Sequence, residues 1–357
     1  MAALTGGAVH AGMPDAPAAP LVVYLASAPA RAIDDTLRTR GFSGAILVEK
    51  DGVVVMRAGY GWANRDKHIP FTTRTIAQIG SLTKQFTATA IADLWREGAI
   101  DLQAPISRYL EGVPKRGANL TIEQLLTHTA GLREACGDDF ERLTREELVT
   151  RCLAEVEIAP PGKFVYSNLG YSILAAVVEK VAKQPLETTL QQRFFRRLGM
   201  QHTAYTFDAV WHDSLAFGYE NGTAVAPISD RLATLDGADW NLSGNGGMQA
   251  TTEDMYTWYR ALASPSALAD SVKQVLITPH AQREDGRRYG YGWFLTVNDA
   301  GQVEQVSHAG SDGVFFAAFV WRPADRMFYY MVTNDGEKQG GEVARIVLRS
   351  FRPPAGG

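Results

Sequence analysis

Two kinds of hydrophobic pattern share this chain. Residues 44–49 (Gly-Ala-Ile-Leu-Val-Glu) and 53–57 (Val-Val-Val-Met-Arg) are short β-rich runs separated by Lys50-Asp51-Gly52. An Asp-Gly pair between two such runs predicts a β-hairpin. Residues 314–321 and 327–332 form a second pair around a turn at Pro323-Ala324-Asp325. Around and between the two pairs the pattern is mainly helical. Ile33 and Leu37 predict a first helix over 29–40, stopped near Gly41. Phe86, Ala90, Ile91, Leu94 and Trp95 give a 3.6-period apolar face over 81–97, closed by Gly98. Further helices are predicted over 122–127, 145–156, 168–183 and 186–198, from Thr252 onward, and over 341–351. Residues 201–285 are mixed and contain a glycine-rich loop at 241–247.

Hairpin, helices, hairpin, helix is the order expected of an α+β fold: one antiparallel sheet built from both ends of the chain, flanked by helices, with a mainly helical lobe inserted. The boundaries read as a mobile N-terminal tail over 1–28 and a single domain over 29–357. Its sheet lobe takes 29–80 and 285–357, and its helical lobe 81–284. A cleft between such lobes is a usual place for a small-molecule site. No internal repeat is found.

Composition narrows the functional classes. With 46% hydrophobic and 21% charged residues among 357, the chain is that of a folded globular protein. Its 35 Lys and Arg against 39 Asp and Glu give a net charge of −4 with no block of like charge, which argues against a nucleic-acid partner. No apolar run is long enough for a membrane span. Residues 21–28 resemble a short signal-peptide core, but no Lys or Arg precedes them, so a non-signal reading is preferred. The compartment is left open: periplasmic or secreted if a leader had been removed, otherwise cytoplasmic. Cys136 and Cys152 are too few for a disulfide scaffold or a zinc site of usual spacing; whether they pair depends on a separation that spacing does not give.

The candidate chemistry begins at Ser81-Leu82-Thr83-Lys84. Three residues apart on a helix, a hydroxyl and an amine face the same way about 5–6 Å apart, and an unprotonated lysine can take the serine proton. By itself the pattern also fits a capping serine and a solvated lysine. Tyr166-Ser167-Asn168 precedes a predicted helix; the tyrosine could relay a proton and the asparagine could hold Lys84, or Asn168 could be only an N-cap. His308-Ala309-Gly310-Ser311 precedes a predicted strand, where Gly310 would permit close backbone approach. The N–H groups of Ser81 and Ser311 could then form an oxyanion hole.

In this order and at these intervals, the three segments resemble the motifs of the serine β-lactamase and penicillin-binding-protein superfamily. The closest branch comprises class C β-lactamases, D-Ala-D-Ala carboxypeptidases and family VIII esterases. The flanks are similar too: residues 120–132 with His128, Pro161-Gly162, Leu198-Gly199-Met200, Gly246-Gly247-Met248 and Tyr291-Gly292-Trp293. The resemblance covers about residues 30–350. It implies Ser81 as acylated nucleophile, Lys84 as base, Tyr166 as proton relay and Asn168 as a contact to substrate and Lys84, with no cofactor and no metal. It implies a structural role for His128.

This chain departs from the family pattern in its third motif, where β-lactamases usually carry Lys-Thr-Gly. His308 is a weaker cation near neutral pH, and Ala309 has no hydroxyl. Both changes point away from an efficient β-lactamase and towards a carboxylesterase or D-amino-acid peptidase acting on a small ester or amide. A β-lactamase or a penicillin-binding sensor without turnover is the alternative. Tyr219, Trp240 and Asn245 are candidate pocket residues, and oligomeric state is left open.

Overall fold

The Asp-Gly pair makes its hairpin. In the computed structural model, which describes residues 23–155, 160–264 and 268–351, the sheet opens with β1 (Val23–Leu25), β2 (Gly44–Lys50) and β3 (Val53–Tyr60). Asp51 and Gly52 both have positive φ, 54° and 79°, as a two-residue type I′ turn requires. The remaining strands are β4 (Ala281–Gln282), β5 (Arg288–Tyr289), β6 (Phe294–Val297), β7 (Val303–Ser311), β8 (Phe316–Arg322) and β9 (Met327–Thr333). Together they form a nine-stranded sheet in the order β1-β3-β2-β9-β8-β7-β6-β5-β4. Its two halves meet where β9 pairs antiparallel with β2, Met331 opposite Ile46. The sheet is therefore assembled from both ends of the chain.

Strand alternation divides the core into two layers. On one side Ile46, Val48 and Met331 pack against α1 (Ala28–Thr39) and α4 (Glu337–Ser350) through Ile33, Leu37, Val343 and Val347. On the other side Leu47, Phe319 and Tyr330 join α2 (Thr83–Arg96), α3 (Asn168–Ala182) and the rest of the helical region. α2 departs from the amphipathic pattern expected of it. Every residue from Thr83 to Ala92 is buried, because α3 and the segments Leu186–Leu190 and Asp270–Ile277 all pack on it. Its polar side chains bond inside: Thr87 donates to the Gly244 carbonyl at 2.8 Å, and Gln85 Oε1 accepts from Trp258 Nε1 at 2.7 Å.

Several boundaries move. The tail expected over 1–28 is too long: Val23–Leu25 pairs with β3, and Ser27 caps α1 by accepting from the Ala30 N–H at 3.2 Å. A three-residue edge strand is held by backbone pairing and carries too few side chains for a periodic signal. Residues 1–22 lie outside the described residues, as does Val156 at the end of the helix expected over 145–156. That helical stretch contains a π turn at Leu148–Cys152, and the stretch over 186–198 contains another at Gln191–Phe195. The last helix starts at Glu337 rather than at residue 341. His308-Ala309-Gly310 does not precede a strand but lies within β7, paired residue for residue with β8. Its one glycine, Gly310, lets the Ser81 turn come close to the strand. The helical region also holds a small hairpin, Gly218–Glu220 with Thr223–Val225.

Cys136 and Cys152 form a disulfide, their Cα atoms 5.7 Å apart, inside the usual range for such a bond. It ties the loop after Leu132 to the π turn of the 145–155 stretch. Among the described residues no helix is long and apolar enough to cross a membrane.

Candidate active site

A short 3₁₀ turn, Gly80–Leu82, leads into α2 and holds Ser81 half-buried at the mouth of the helical region. Gly80 has φ 51°, and Thr83 Oγ1 donates to its carbonyl at 2.8 Å. One turn later Lys84 is fully buried. Its Nζ is 3.0 Å from Ser81 Oγ, 2.7 Å from Asn168 Oδ1 and 2.7 Å from the Asn245 carbonyl oxygen. A neutral amine has two N–H donors and one lone pair. With those two donors on the two carbonyl oxygens, a neutral Lys84 would turn its lone pair to the Ser81 hydroxyl. Burial holds the Lys84 pKa well below its ordinary value, against the opposing pull of the Glu134 and Asp139 carboxylates.

The Asn245 carbonyl reaches Lys84 because residues 241–247 are wedged between α2 and α3. Gly244, at φ 80°, lies so close to α3 that a Cβ there would stand 2.6 Å from Ala175 Cβ and 2.7 Å from the Tyr171 carbonyl oxygen. The Asn245 side chain donates to Ser172 Oγ at 2.8 Å and to the Asn241 carbonyl at 2.7 Å. Asn245 thus meets the site through its backbone, which no side-chain motif reveals.

Tyr166 sits just before α3. Its ring centroid is 4.9 Å from Lys84 Nζ, and its phenol shares a hydrogen bond with the Ser81 side chain. Burial pushes the phenol pKa up, more strongly than the Ser81 hydrogen bond lowers it. Lysine pushed down and tyrosine pushed up both favour the neutral forms, which suits the amine better than a phenolate to the part of a base. The N-cap of α3 is Ser167, whose Oγ accepts from the Gly170 N–H at 3.0 Å, and not Asn168. That frees the Asn168 amide to face Lys84.

β7 closes the other side. A Cβ on Gly310 would lie 1.9 Å from the Ile79 carbonyl oxygen and 2.8 Å from the Ser81 nitrogen; one on Gly80 would lie 2.8 Å from the Ser311 nitrogen. Only glycines permit this approach, which sets Gly310 and Ser311 of β7 directly against the Gly80–Ser81 turn.

His308 is 4% exposed. Its Nδ1 lies 2.7 Å from the Ala309 carbonyl oxygen and its Nε2 3.4 Å from Tyr289 Oη. Burial is the main cause of its pKa falling to about 3. His128 lies deeper: its Nδ1 accepts from the Ser167 N–H at 3.0 Å, and its Nε2 is 3.2 Å from Tyr289 Oη. The ring also packs 4.3 Å from that of Tyr166. His128 and Tyr289 therefore link the segment carrying Tyr166 to the strand carrying His308.

Ser81, Lys84, Tyr166, Asn168, His308, Gly310 and Ser311 are brought together where α2, the start of α3 and β7 meet. Tyr219 and Trp240 are held elsewhere. The Tyr219 hydroxyl accepts from the Arg65 N–H at 2.6 Å, and Trp240 borders a separate cavity with Tyr205 and Glu187. Glu134, Asp139 and Tyr289 act on the site without a sequence signature, since charge acting at a distance and burial leave no local spacing to find.

Residues 30–350 match the family described as Beta-lactamase. The chain belongs to that family. This Beta-lactamase family member is 27% identical over 265 residues to the putative penicillin-binding protein PbpX of Bacillus subtilis (strain 168), covering 74% of the chain and 64% of the relative. It is 25% identical over 291 residues to penicillin-binding protein 4* of the same organism, covering 75% and 63%. The chain thus spans somewhat less than two-thirds of the length of these curated relatives. Among solved structures it is similar to a penicillin-binding protein from Bacillus halodurans, with a TM-score of 0.74 and 26% identity over 89% of this chain and 98% of that one. The mixed architecture with its large antiparallel sheet is therefore the penicillin-binding-protein and β-lactamase fold.

Proposed function

We propose that this protein is a serine hydrolase that cleaves a small ester or amide through an acyl-enzyme on Ser81. The observation that carries this reading is the buried Lys84 amine, 2.7 Å from two carbonyl oxygens and 3.0 Å from Ser81 Oγ. Lys84 takes the Ser81 proton as Oγ attacks the substrate carbonyl carbon. The N–H groups of Ser81 and Ser311 receive the developing oxyanion, each such donor contributing about 3–4 kcal/mol. Tyr166 passes the proton to the leaving group, which departs as a neutral alcohol or amine. Water then attacks the acyl-enzyme with the same two residues handling its proton, and Ser81 is regenerated. Asn168 orients Lys84 and offers its amide to the substrate.

Within this reaction class the third motif favours esters over peptides ending in a free carboxylate. His308 is neutral, both its ring nitrogens face partners in the protein, and Ala309 adds no hydroxyl. A D-amino-acid amidase is the second reading. Covalent capture of penicillin, which the names of the relatives suggest, is the third. Hydrolysis of p-nitrophenyl butyrate by the wild type and its loss in Ser81→Ala test the proposal. Full activity in that variant would refute it. Intact-mass measurement after penicillin separates a transient adduct, which means turnover, from a permanent one, which means a sensor.

A further inference from the structure

Both carbonyl oxygens beside the Lys84 amine are tied to one loop, residues 133–143. That loop holds no helix and no strand, only the isolated bridge from Leu143 to Asp239, so no ladder fixes its path. On one side it meets the start of α3. Ser167 Oγ donates to the Arg133 carbonyl at 2.7 Å, and the Leu169 N–H donates to the Glu134 carbonyl at 2.9 Å. Asn168, whose Oδ1 lies 2.7 Å from Lys84 Nζ, stands between those two donors. On its other side the loop meets residues 238–241. Asn241 Nδ2 donates to the Glu141 carbonyl at 3.1 Å, and the Leu143 N–H donates to the Ala238 carbonyl at 2.8 Å. The Asn241 carbonyl accepts from the Asn245 side chain, and the Asn245 carbonyl oxygen is the second group 2.7 Å from Lys84 Nζ. Between these anchors the Phe140 ring lies under Arg231, whose guanidinium carbon is 3.4 Å from the ring centroid.

The covalent constraint on this loop is the Cys136–Cys152 bond. Cys136 is half-buried and falls between the two anchors, and Cys152 is fully buried in the 145–155 stretch. Irregular segments have many alternative paths, and closing a span of 16 residues removes most of them. The loop also reaches the amine electrostatically. Burial lowers the Lys84 pKa, and the Glu134 and Asp139 carboxylates of the loop oppose that shift. The other titratable groups around the amine are Tyr166, Tyr171, His128 and His308, and burial shifts each of them towards its neutral form.

We infer that residues 133–143 are a positioning loop for the Lys84 base, and that the Cys136–Cys152 bond holds the loop in its working place, so that fast acylation of Ser81 requires the oxidised chain. This inference rests on the acyl-transfer reading above. The loop acts through Asn168 and Asn245, the two residues that hold the amine. A misplacement of about 1 Å at a reacting group can cost about 10²-fold in rate, so a small drift of either anchor is enough.

The double variant Cys136→Ala with Cys152→Ala tests it, at a temperature where its far-ultraviolet circular dichroism matches the wild type. We expect kcat/KM for p-nitrophenyl butyrate, and the rate at which a fluorophosphonate labels Ser81 by intact mass, to fall about tenfold or more. Asn241→Leu cuts the tie to Glu141, keeps the disulfide and should move both in the same direction. In a Lys84→Ala background, loss of the cysteine pair should make no further difference to labelling, because the group it positions is gone. An undiminished rate in the double cysteine variant would overturn the inference. So would an equal loss with and without Lys84, which would mean that the bond supports the whole cleft. Glu134→Gln with Asp139→Asn adds a readout that general loosening does not move. The rising limb of its kcat/KM against pH should shift to lower pH, since Lys84 loses two carboxylates that favour its ammonium form. A stationary limb would overturn the inference, and this measurement decides alone where labelling of Lys84→Ala is too slow to follow. Absence of Ser81-dependent hydrolysis in the wild type would overturn the acyl-transfer reading itself, an outcome distinct from a hydrolase that works equally well without its disulfide.

Discussion

Lys84 Nζ lies 2.7 Å from Asn168 Oδ1, and this bond between the helical region's two longest helices decides which way the amine's lone pair points. Its neutrality matters as much as its direction. Replacing Asn168 by Asp puts a carboxylate beside the amine, favours the ammonium and raises the Lys84 pKa. Since the deprotonated amine is the working base, the rising limb of kcat/KM against pH moves to higher pH in Asn168→Asp. Activity at a fixed pH on that limb falls about tenfold for every pH unit by which the limb moves. A pH–rate profile with a p-nitrophenyl ester reads this directly; an unmoved limb would mean that another group controls it.

Gly310 tests the oxyanion arrangement without touching a side chain. A methyl group there meets the Ile79 carbonyl oxygen at 1.9 Å and the Ser81 nitrogen at 2.8 Å, so β7 must move away from the Ser81 turn. Gly310→Ala is expected to reduce kcat by about 10²-fold or more, the scale of losing one oxyanion donor. Thermal unfolding and the far-ultraviolet circular dichroism spectrum, measured beside the kinetics, check that the sheet survives. Activity near wild type would show that this approach is not used.

What could be read from the chain follows from range. Asp51-Gly52 predicts its hairpin because two residues fix that turn, and Ser81 with Lys84 are partners because one helical turn joins them. The three motifs identify one another through order and interval. The Asn245 carbonyl is different, since a backbone atom carries no residue signature and its place is set by Gly244 packing on α3. The His308 segment is expected ahead of a strand but lies within one, because Gly310 weakens the local strand signal while serving a close backbone approach that only the fold reveals. Burial of α2 on all sides is also illegible locally, since its polar residues find partners only in distant segments.

The Cys136–Cys152 disulfide closes a span of 16 residues, which in the chain-entropy picture stabilises by about 3 kcal/mol. Dithiothreitol, or the double variant Cys136→Ser with Cys152→Ser, should lower the urea midpoint by the equivalent amount. Adding reductant to the double variant should change nothing further. Because Cys152 is fully buried, reduction is expected to be slow in the folded state and to speed up as urea approaches the midpoint. Equal midpoints with and without reductant would show that the bond adds no net stability.

The two buried histidines make acid stability a property of this site. The pKa of His308 is lowered to about 3, and that of His128 well below its ordinary value; burial is the main cause for both. In the unfolded chain both titrate near 6.5. Between the two values the unfolded state binds more protons, so stability rises with pH there. The contribution is complete above about 6.5 and is lost as pH falls towards 3, at up to about 1.4 kcal/mol per pH unit for each histidine. Replacing His308 by Gln removes one titrating ring, and the slope between pH 6 and 4 should flatten by that amount. Urea unfolding at a series of pH values measures both slopes. Parallel slopes in the wild type and His308→Gln would mean that His308 is already protonated in the folded protein, and the third motif would then carry the positive charge that its geometry argues against.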